Sequence, residues 1–106
     1  MDTPNFAYGV AVSGTHAYVA DCLSGLQVID ITDPSSPVIV GSVDTPDFAV
    51  GVAVSGTRAY VADYLSGLQV IDITDPSSPV IVGSVDTPDF AVGVAVSGTR
   101  AYVADY

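Results

Sequence analysis

The side chains in this sequence that could support chemistry are aspartates that recur at a fixed interval. The chain has twelve acidic residues, all of them Asp, and two basic residues, both Arg. Asp21, Asp63 and Asp105 each follow the segment AYVA, and Asp30 and Asp72 each follow LQVI. Repeated around a ring, these carboxylates could form a rim that holds a cation. We favour the alternative that they form turns and carry solubilising charge, because no D-x-D-x-D loop spacing is present.

The single histidine and the two arginines occupy one equivalent position. His16 follows the turn residues Gly-Thr, and Arg58 and Arg100 stand in its place in the later copies of the same segment. A metal site is not indicated, since His16 has no second ligand nearby in the sequence. We therefore expect His16 at a surface turn, and we expect the arginines to pair with carboxylates of a neighbouring repeat.

The single cysteine is the other candidate for chemistry. Cys22 stands where the later copies have Tyr64 and Tyr106, so we expect a partly buried thiol in a position shaped for an aromatic ring. A nucleophile needs a base and a group that orients the base, and only His16 is close in sequence. The serines lie in V-S-G-T, which is not a G-x-S-x-G elbow. We predict no enzymatic activity, no cofactor and no metal ligand.

The elements that position these residues come from one unit that is repeated in tandem. Residues 43–84 form one copy, residues 1–42 repeat it with five substitutions, and residues 85–106 repeat its first half without change. The chain therefore divides into two complete repeats, 1–42 and 43–84, and a half repeat, 85–106. Such close identity indicates a recent duplication or a designed sequence.

Each unit is predicted to contain four short β-strands, A to D. In the first unit they cover residues 6–13, 17–21, 26–32 and 38–43, which are rich in Val, Ile, Tyr and Thr. The segments between them carry Gly, Asp and Pro, and Asp33-Pro34 predicts a tight turn. No helical periodicity is present, so the predicted fold class is all-β.

Several strands are apolar on both faces, as in Val10-Ala11-Val12 and Val38-Ile39-Val40. This pattern indicates antiparallel sheets that are covered on both sides. For a tandem unit of this length, the solution we predict is face-to-face stacking of four-stranded blades around an axis, which is a β-propeller. Gly9, Ala11 and Ser13 are small enough for a crowded innermost strand.

The segments AVSGTRAYVAD and GLQVIDITDPSSPVIVGS, with the linker DTP, resemble the LVIVD repeat family. The resemblance covers the whole chain and recurs in each unit. It implies a β-propeller of the kind found in bacterial and archaeal surface-type proteins, and hence a cell-surface location. It implies no particular activity. A propeller of this family usually has enough blades in one chain to close, whereas this sequence has two and a half.

Propellers close at about four to eight blades, so we predict a homo-oligomer that completes its ring by head-to-tail contacts. A homodimer with a six-position ring is favoured. The alternative is a homotrimer in which each C-terminal half repeat replaces the N-terminal half of a neighbour. The predicted contact residues lie near the two ends of the sequence and are Phe6, Tyr8, Val10, Tyr102, Val103 and Tyr106.

The bulk properties exclude some partners. A net charge of −10 argues against binding to nucleic acids or anionic membranes. The first residues, MDTPNF, do not resemble a signal peptide, and the apolar runs are too short to cross a bilayer.

We therefore favour a non-enzymatic, self-assembling repeat protein whose partner is itself. The alternative is a binding module that holds a small molecule, a peptide or a cation at a central channel. The nearly identical loops argue against this alternative, because a binding site needs loops that differ or that converge on polar groups.

Overall fold

The computed structural model describes residues 9–22, 24–64, 66–86 and 91–105. Within these ranges there are ten β-strands and no helix. The strands are β1 (Gly9–Ser13), β2 (His16–Ala20), β3 (Leu26–Asp30), β4 (Val38–Val43), β5 (Gly51–Ser55), β6 (Arg58–Ala62), β7 (Leu68–Asp72), β8 (Val80–Val85), β9 (Ala91–Ser97) and β10 (Arg100–Asp105). The all-β prediction is confirmed, and each predicted strand of the first unit overlaps an observed one, with residues 6–8 of the first lying outside the described residues.

The strands form three antiparallel sheets that follow the repeat. The first sheet has the order β1-β2-β3-β4, the second has the order β5-β6-β7-β8, and the third pairs β9 with β10. The registers of the first two sheets are equivalent residue by residue. Ala17 lies between Val12 and Ile29 in the first sheet, and Ala59 lies between Val54 and Ile71 in the second.

Glycines shape the turns between strands A and B and after strand B. Gly14 has a φ of 60° and Gly25 a φ of 70°, both in the left-handed region that is favourable for residues without a Cβ. Cys22 and Tyr64 also have positive φ, 47° and 46°, which nothing in their residue types predicted.

The first and second sheets stack face to face through one apolar cluster. The first sheet contributes the face that carries Tyr18 and Val28, which we call its forward face. The second contributes the opposite face, with Ala59 and Ile71, which we call its backward face. The cluster comprises Tyr18, Ala20, Leu26, Val28, Ala49, Ala59, Val61, Ile71 and Ile73. One face of each of the two sheets is therefore buried at this junction, in agreement with the apolar pattern.

The innermost strands of the three sheets lie side by side, with β5 between β1 and β9. A Cβ added to Gly9 would lie 3.3 Å from the Cα of Gly51, and one added to Gly51 would lie 3.2 Å from the Cα of Gly93. These separations leave no room for a larger side chain without movement of the backbone. The expectation that small residues line a crowded innermost strand is confirmed at these glycines.

The outer strands depart from the expectation that both faces are covered. Val38 in β4 and Val80 in β8 are more than half exposed. Each lies just beyond a register shift, between Val28 and Ile29 or between Val70 and Ile71, where a β-bulge changes the direction of the strand. The apolar residues of strand D are therefore not all buried, although the sequence pattern predicted that they would be.

Candidate functional site

Asp30 and Asp72, candidates for a cation-binding rim, are held by their own turns. The Oδ1 atom of Asp72 accepts hydrogen bonds from the backbone N–H of Thr74 at 2.8 Å and from its hydroxyl at 2.6 Å. The Oδ1 atom of Asp30 accepts one from the N–H of Thr32 at 2.8 Å. Hydrogen bonding by the side chains of Thr32 and Thr74, and then by their backbone N–H groups, lowers the pKa of both carboxyls. Both side chains therefore form turns, as we predicted.

The D-P-S-S segments are turns of the same kind. The carboxylate of Asp33 accepts hydrogen bonds from the N–H and hydroxyl of Ser35, and that of Asp75 does the same with Ser77. In each turn, the backbone carbonyl of the Asp also accepts a bond from the N–H three residues later, at 2.9 Å. The hydrogen bonds from Ser35 and Ser77 lower the pKa values of the two carboxyls. The turn prediction from Asp-Pro is confirmed.

Asp21 and Asp63 correct the expectation of solubilising surface charge, because both are fully buried. The Oδ2 atom of Asp63 accepts a hydrogen bond from the backbone N–H of Asp47 at 3.0 Å, and Thr45 is a further partner of this carboxyl. The Asp63 side chain therefore anchors the linker between the first and second sheets. An aspartate at the end of a strand looks the same in sequence whether it faces water or a linker, so the pattern missed this role.

Burial makes Asp63 a titratable group inside the junction. Its Oδ1 atom has no hydrogen-bond partner in the part of the chain that the structure describes. Removal from water raises the pKa of Asp63, more than the hydrogen bonds from Thr45 and Asp47 lower it. The folded protein therefore holds a proton on this carboxyl more tightly than the unfolded chain does.

The raised pKa of Asp63 has a measurable consequence for stability. A raised folded-state pKa contributes stability that is fully present below the unfolded pKa, about 3.9, and is lost as the pH rises through the folded pKa. We expect Asp63→Asn to abolish this loss, so its unfolding free energy should fall less than that of the wild type as the pH rises above about 4. Urea unfolding of both proteins at a series of pH values measures this difference in unfolding free energy.

The matched control for Asp63→Asn is Asp72→Asn. Asp72 has a lowered pKa, so it contributes stability above its unfolded pKa that is lost only as the pH falls through the folded value. Asp72→Asn should therefore show the same fall in unfolding free energy above pH 4 as the wild type. A wild-type and an Asp63→Asn profile that run parallel above pH 4 would contradict a buried, proton-binding Asp63.

Cys22 and Tyr64 serve the junctions through their backbones. The N–H of Cys22 donates to the carbonyl of Ala49 at 3.0 Å, and the N–H of Ala49 donates back at 3.0 Å. Tyr64 and Ala91 form the same pair one repeat later, at 3.2 and 2.9 Å. Each pair links one sheet to the segment leading into the next. Cys22 is half-buried, as predicted.

His16 and Arg58 are strand residues rather than turn residues. Each is the first residue of its strand and lies directly opposite an aspartate, Asp30 or Asp72. The charge of Arg58 helps to lower the pKa of Asp72, so the carboxylate it faces belongs to its own sheet and not to the next repeat. The His16 imidazole lies 3.2 Å from the hydroxyl of Thr15 and packs near the Tyr18 ring.

Two of the predicted oligomer contacts, Val10 and Tyr102, lie on opposite flanks of the sheet stack. Val10 lies on the backward face of the first sheet and is 62% exposed, and Tyr102 lies on the forward face of the third sheet and is 56% exposed. Val103 occupies the position of Val61, on the backward face, and is half-buried. Phe6, Tyr8 and Tyr106 lie outside the described residues.

The exposed flank has one member that was not among the residues predicted from the sequence. Val12, 61% exposed, lies beside Val10 in β1 on the same face. The strict repeat offered the signal for it, because Val52 and Val54 occupy the equivalent positions in the second unit and pack in the junction cluster. A residue of the second sheet that packs against the first sheet therefore has an equivalent residue on the backward face of the first sheet.

The described residues contain no group of three or more His, Cys, Asp or Glu side chains that could hold a metal ion. The same part of the chain contains no helix that is long and apolar enough to span a bilayer. The rim of carboxylates considered from the sequence is not assembled there, since Asp21 and Asp63 are buried and Asp30 and Asp72 are engaged in turns.

Comparison with known proteins agrees with this repeated architecture. The model of the LVIVD repeat matches residues 5–45, 48–87 and 90–106, which is nearly the whole chain. A search of curated proteins gives no match. The three matched segments follow the three sheets, and together they place this chain in the LVIVD repeat family.

Proposed function

We propose that this chain is a non-enzymatic, self-assembling repeat protein of the propeller type, in which a second copy continues the stack of sheets. The observation that carries the proposal is a difference in exposure between two tyrosines at equivalent positions of the repeat. Tyr18 is 5% exposed because the second sheet covers it, whereas Tyr102 is 56% exposed on the forward face of the third sheet. The same face is therefore buried within the chain and open at one flank.

The opposite flank offers the complementary surface. Inside the chain, Tyr18 shares its cluster with Val52 and Val54 of β5. Their counterparts Val10 and Val12 are each more than 60% exposed. A second copy could place its Tyr102 on this pair with the geometry that Tyr18 already has. Burying each of these side chains stabilises a contact by roughly 1.5–3 kcal/mol.

The contact so formed is head to tail, because it joins two different surfaces. Such contacts close into a ring when the rotation between copies allows it. Two copies supply six innermost strands, equivalent to β1, β5 and β9 of each, which is within the range of about four to eight blades that propellers use. We propose the dimer as the assembly, with the trimer as the competing count.

The described aspartates support the non-enzymatic part of the proposal. Asp63 holds a linker, and the carboxylates of Asp30, Asp33, Asp72 and Asp75 accept hydrogen bonds from residues of their own turns. Groups engaged in this way are not poised for proton transfer to a substrate. The fold uses these five carboxylates to define turns and a junction.

Mass measurement by light scattering tests the assembly. We expect the wild type to run at twice the chain mass of 10.8 kDa. Val10→Asp should weaken association at least about 100-fold, because it places a charge in an apolar contact. Ser55→Asp is the matched control, since it adds the same charge at an exposed position of the middle sheet and should leave the dimer intact.

A mixing experiment tests the head-to-tail direction. Tyr102→Asp should also be monomeric, but it retains the Val10 flank, while Val10→Asp retains the Tyr102 flank. A mixture of the two variants should form a heterodimer through the one intact contact, at higher concentration than the wild type requires. A wild type that keeps the mass of one chain at all concentrations would overturn the proposal, and so would a Val10→Asp variant with undiminished mass.

A further inference from the structure

Two equivalent glycines of the outer strands have different surroundings. A Cβ on Gly41 in β4 would overlap the carbonyl oxygen of Pro76 and would lie 3.1 Å from the carbonyl carbon of Ser77. The turn between β7 and β8 therefore lies directly against β4. Among the described residues, a Cβ on Gly83 in β8 would have only the Val70 side chain of its own sheet near it, at 3.9 Å. The place that a turn fills at Gly41 is open at Gly83.

The residues around Gly83 show the same difference. Val82 and Val85 are each 56% exposed, whereas their counterparts Val40 and Val43 are half-buried against the junction cluster. Val82, Gly83 and Val85 thus form an apolar surface with a gap the size of a turn, which we call the β8 socket. Among the described residues, nothing occupies it.

The second observation is a free strand edge in the third sheet. In the first two sheets the second strand pairs with a third, β2 with β3 and β6 with β7. β10 pairs with β9 alone among the described strands, so its other edge presents backbone N–H and C=O groups without a strand partner. A strand added to β10 in the register of β6 with β7 would carry its following turn towards the socket, as the second sheet carries Pro76 to Gly41.

We infer that the β8 socket and the edge of β10 together bind a β-hairpin from another polypeptide, with the chemistry of β7–β8. Its first strand would pair with β10, its apolar side chains would cover Val82 and Val85, and its Asp-Pro-Ser-Ser turn would fill the space at Gly83. Charge supports this occupant. Arg58 lies opposite Asp72 in the β6–β7 pair, and Arg100, exposed at the equivalent position of β10, would face the aspartate of the added strand.

This inference is independent of the proposed dimer, because it uses the backbone edge of β10 and the β8 socket, and not the side chains of Val10 and Tyr102. The probe is a synthetic peptide with the sequence of residues 66–86, SGLQVIDITDPSSPVIVGSVD. Fluorescence anisotropy should show one-to-one binding to the wild type and to Val10→Asp. Gly83→Ala should bind at least tenfold more weakly, because its methyl group would meet the turn carbonyl of the peptide. A peptide of the same composition in scrambled order should not bind.

A second measurement removes the dependence on a free peptide. Extending the chain after Tyr106 with the sequence of residues 65–84 supplies the hairpin in cis. In the extended chain Gly83→Ala should lower the unfolding midpoint, while in the original chain it should not. If Gly83→Ala is neutral in both chains, or if wild type and Gly83→Ala bind the peptide equally, the hairpin does not occupy the socket and the inference fails.

Discussion

Replacing Gly25 by Ala is expected to destabilise the fold by about 3–5 kcal/mol, which is among the largest effects of a single methyl group in this chain. Gly25 has a φ of 70°, where a residue with a Cβ costs roughly 1–2 kcal/mol. The added Cβ would also overlap the carbonyl oxygen of Val43 and would lie 2.8 Å from the nitrogen of Thr45. Backbone atoms of the linker, not a flexible side chain, would have to move.

The linker that would move is the one that holds the junction together. Thr45 and Asp47 are the partners of the buried Asp63 carboxyl, so a shift at Val43–Thr45 also disturbs that anchor. A group left buried without its hydrogen bonds costs roughly a further 1–3 kcal/mol. The effect of Gly25→Ala should therefore exceed the conformational cost of a left-handed alanine.

Gly14→Ala is the control that isolates the conformational cost. Gly14 has a φ of 60°, close to that of Gly25, but a Cβ there would have nothing within 4 Å. Thermal unfolding should place the midpoint of Gly14→Ala a few degrees below the wild type and that of Gly25→Ala roughly 15 °C or more below it. Equal midpoints for the two variants would mean that the linker does not pack on Gly25.

Local features of this fold could be predicted from local residues. β4 (Val38–Val43) coincides with its predicted range, and Asp33 and Asp75 form the turns that Asp-Pro indicates. Strand residues favour an extended backbone through their own side chains, and a turn aspartate finds its partners two or three residues away. The strict repeat then carried each local prediction into the next unit, and the match to the LVIVD repeat follows from the same segments.

Features that depend on contacts between repeats could not be predicted in this way. The burial of Asp63 depends on Thr45 and Asp47, which lie in the linker before the second sheet, and no spacing rule connects them to this aspartate. The left-handed backbone of Cys22 and Tyr64 is held by pairing with Ala49 and Ala91, which belong to the segments leading into the next sheet. In both cases tertiary hydrogen bonds override the preference of the residue.

The exposed flanks could be predicted from the sequence only in part. The sequence predicted apolar ends, and Val10 and Tyr102 are exposed on opposite flanks. The backward face of the first sheet is nevertheless not open throughout, because Ala17, Val19 and Ile29 on that face are each less than a tenth exposed. The surface available to a second copy is therefore centred on β1, and the proposed contact places Tyr102 of β10 on this strand.

Gly41→Ala is expected to separate the first and second sheets at their outer edge and to destabilise the chain by about 2–4 kcal/mol. The methyl group would overlap the Pro76 carbonyl oxygen and crowd the carbonyl carbons of Pro76 and Ser77, which are 3.1 Å from the Cβ position. This turn is stiffened by the proline ring and by the hydrogen bonds of Asp75, so it cannot yield without losing them. The sheets must move apart instead, and Val40 and Val43 would lose their cover.

Gly83→Ala is the same substitution at the equivalent position of the second unit, with its nearest neighbour at 3.9 Å. In the original chain it should be neutral, or stabilising by about 0.4–1 kcal/mol, since alanine restricts the unfolded chain. Chemical denaturation of the two variants side by side measures the difference directly. Because the two glycines share one sequence context, a large effect at Gly41 with none at Gly83 can come only from the neighbouring sheet, whereas similar effects at both would show that the cost arises within each sheet and that the Pro76 turn does not pack on β4.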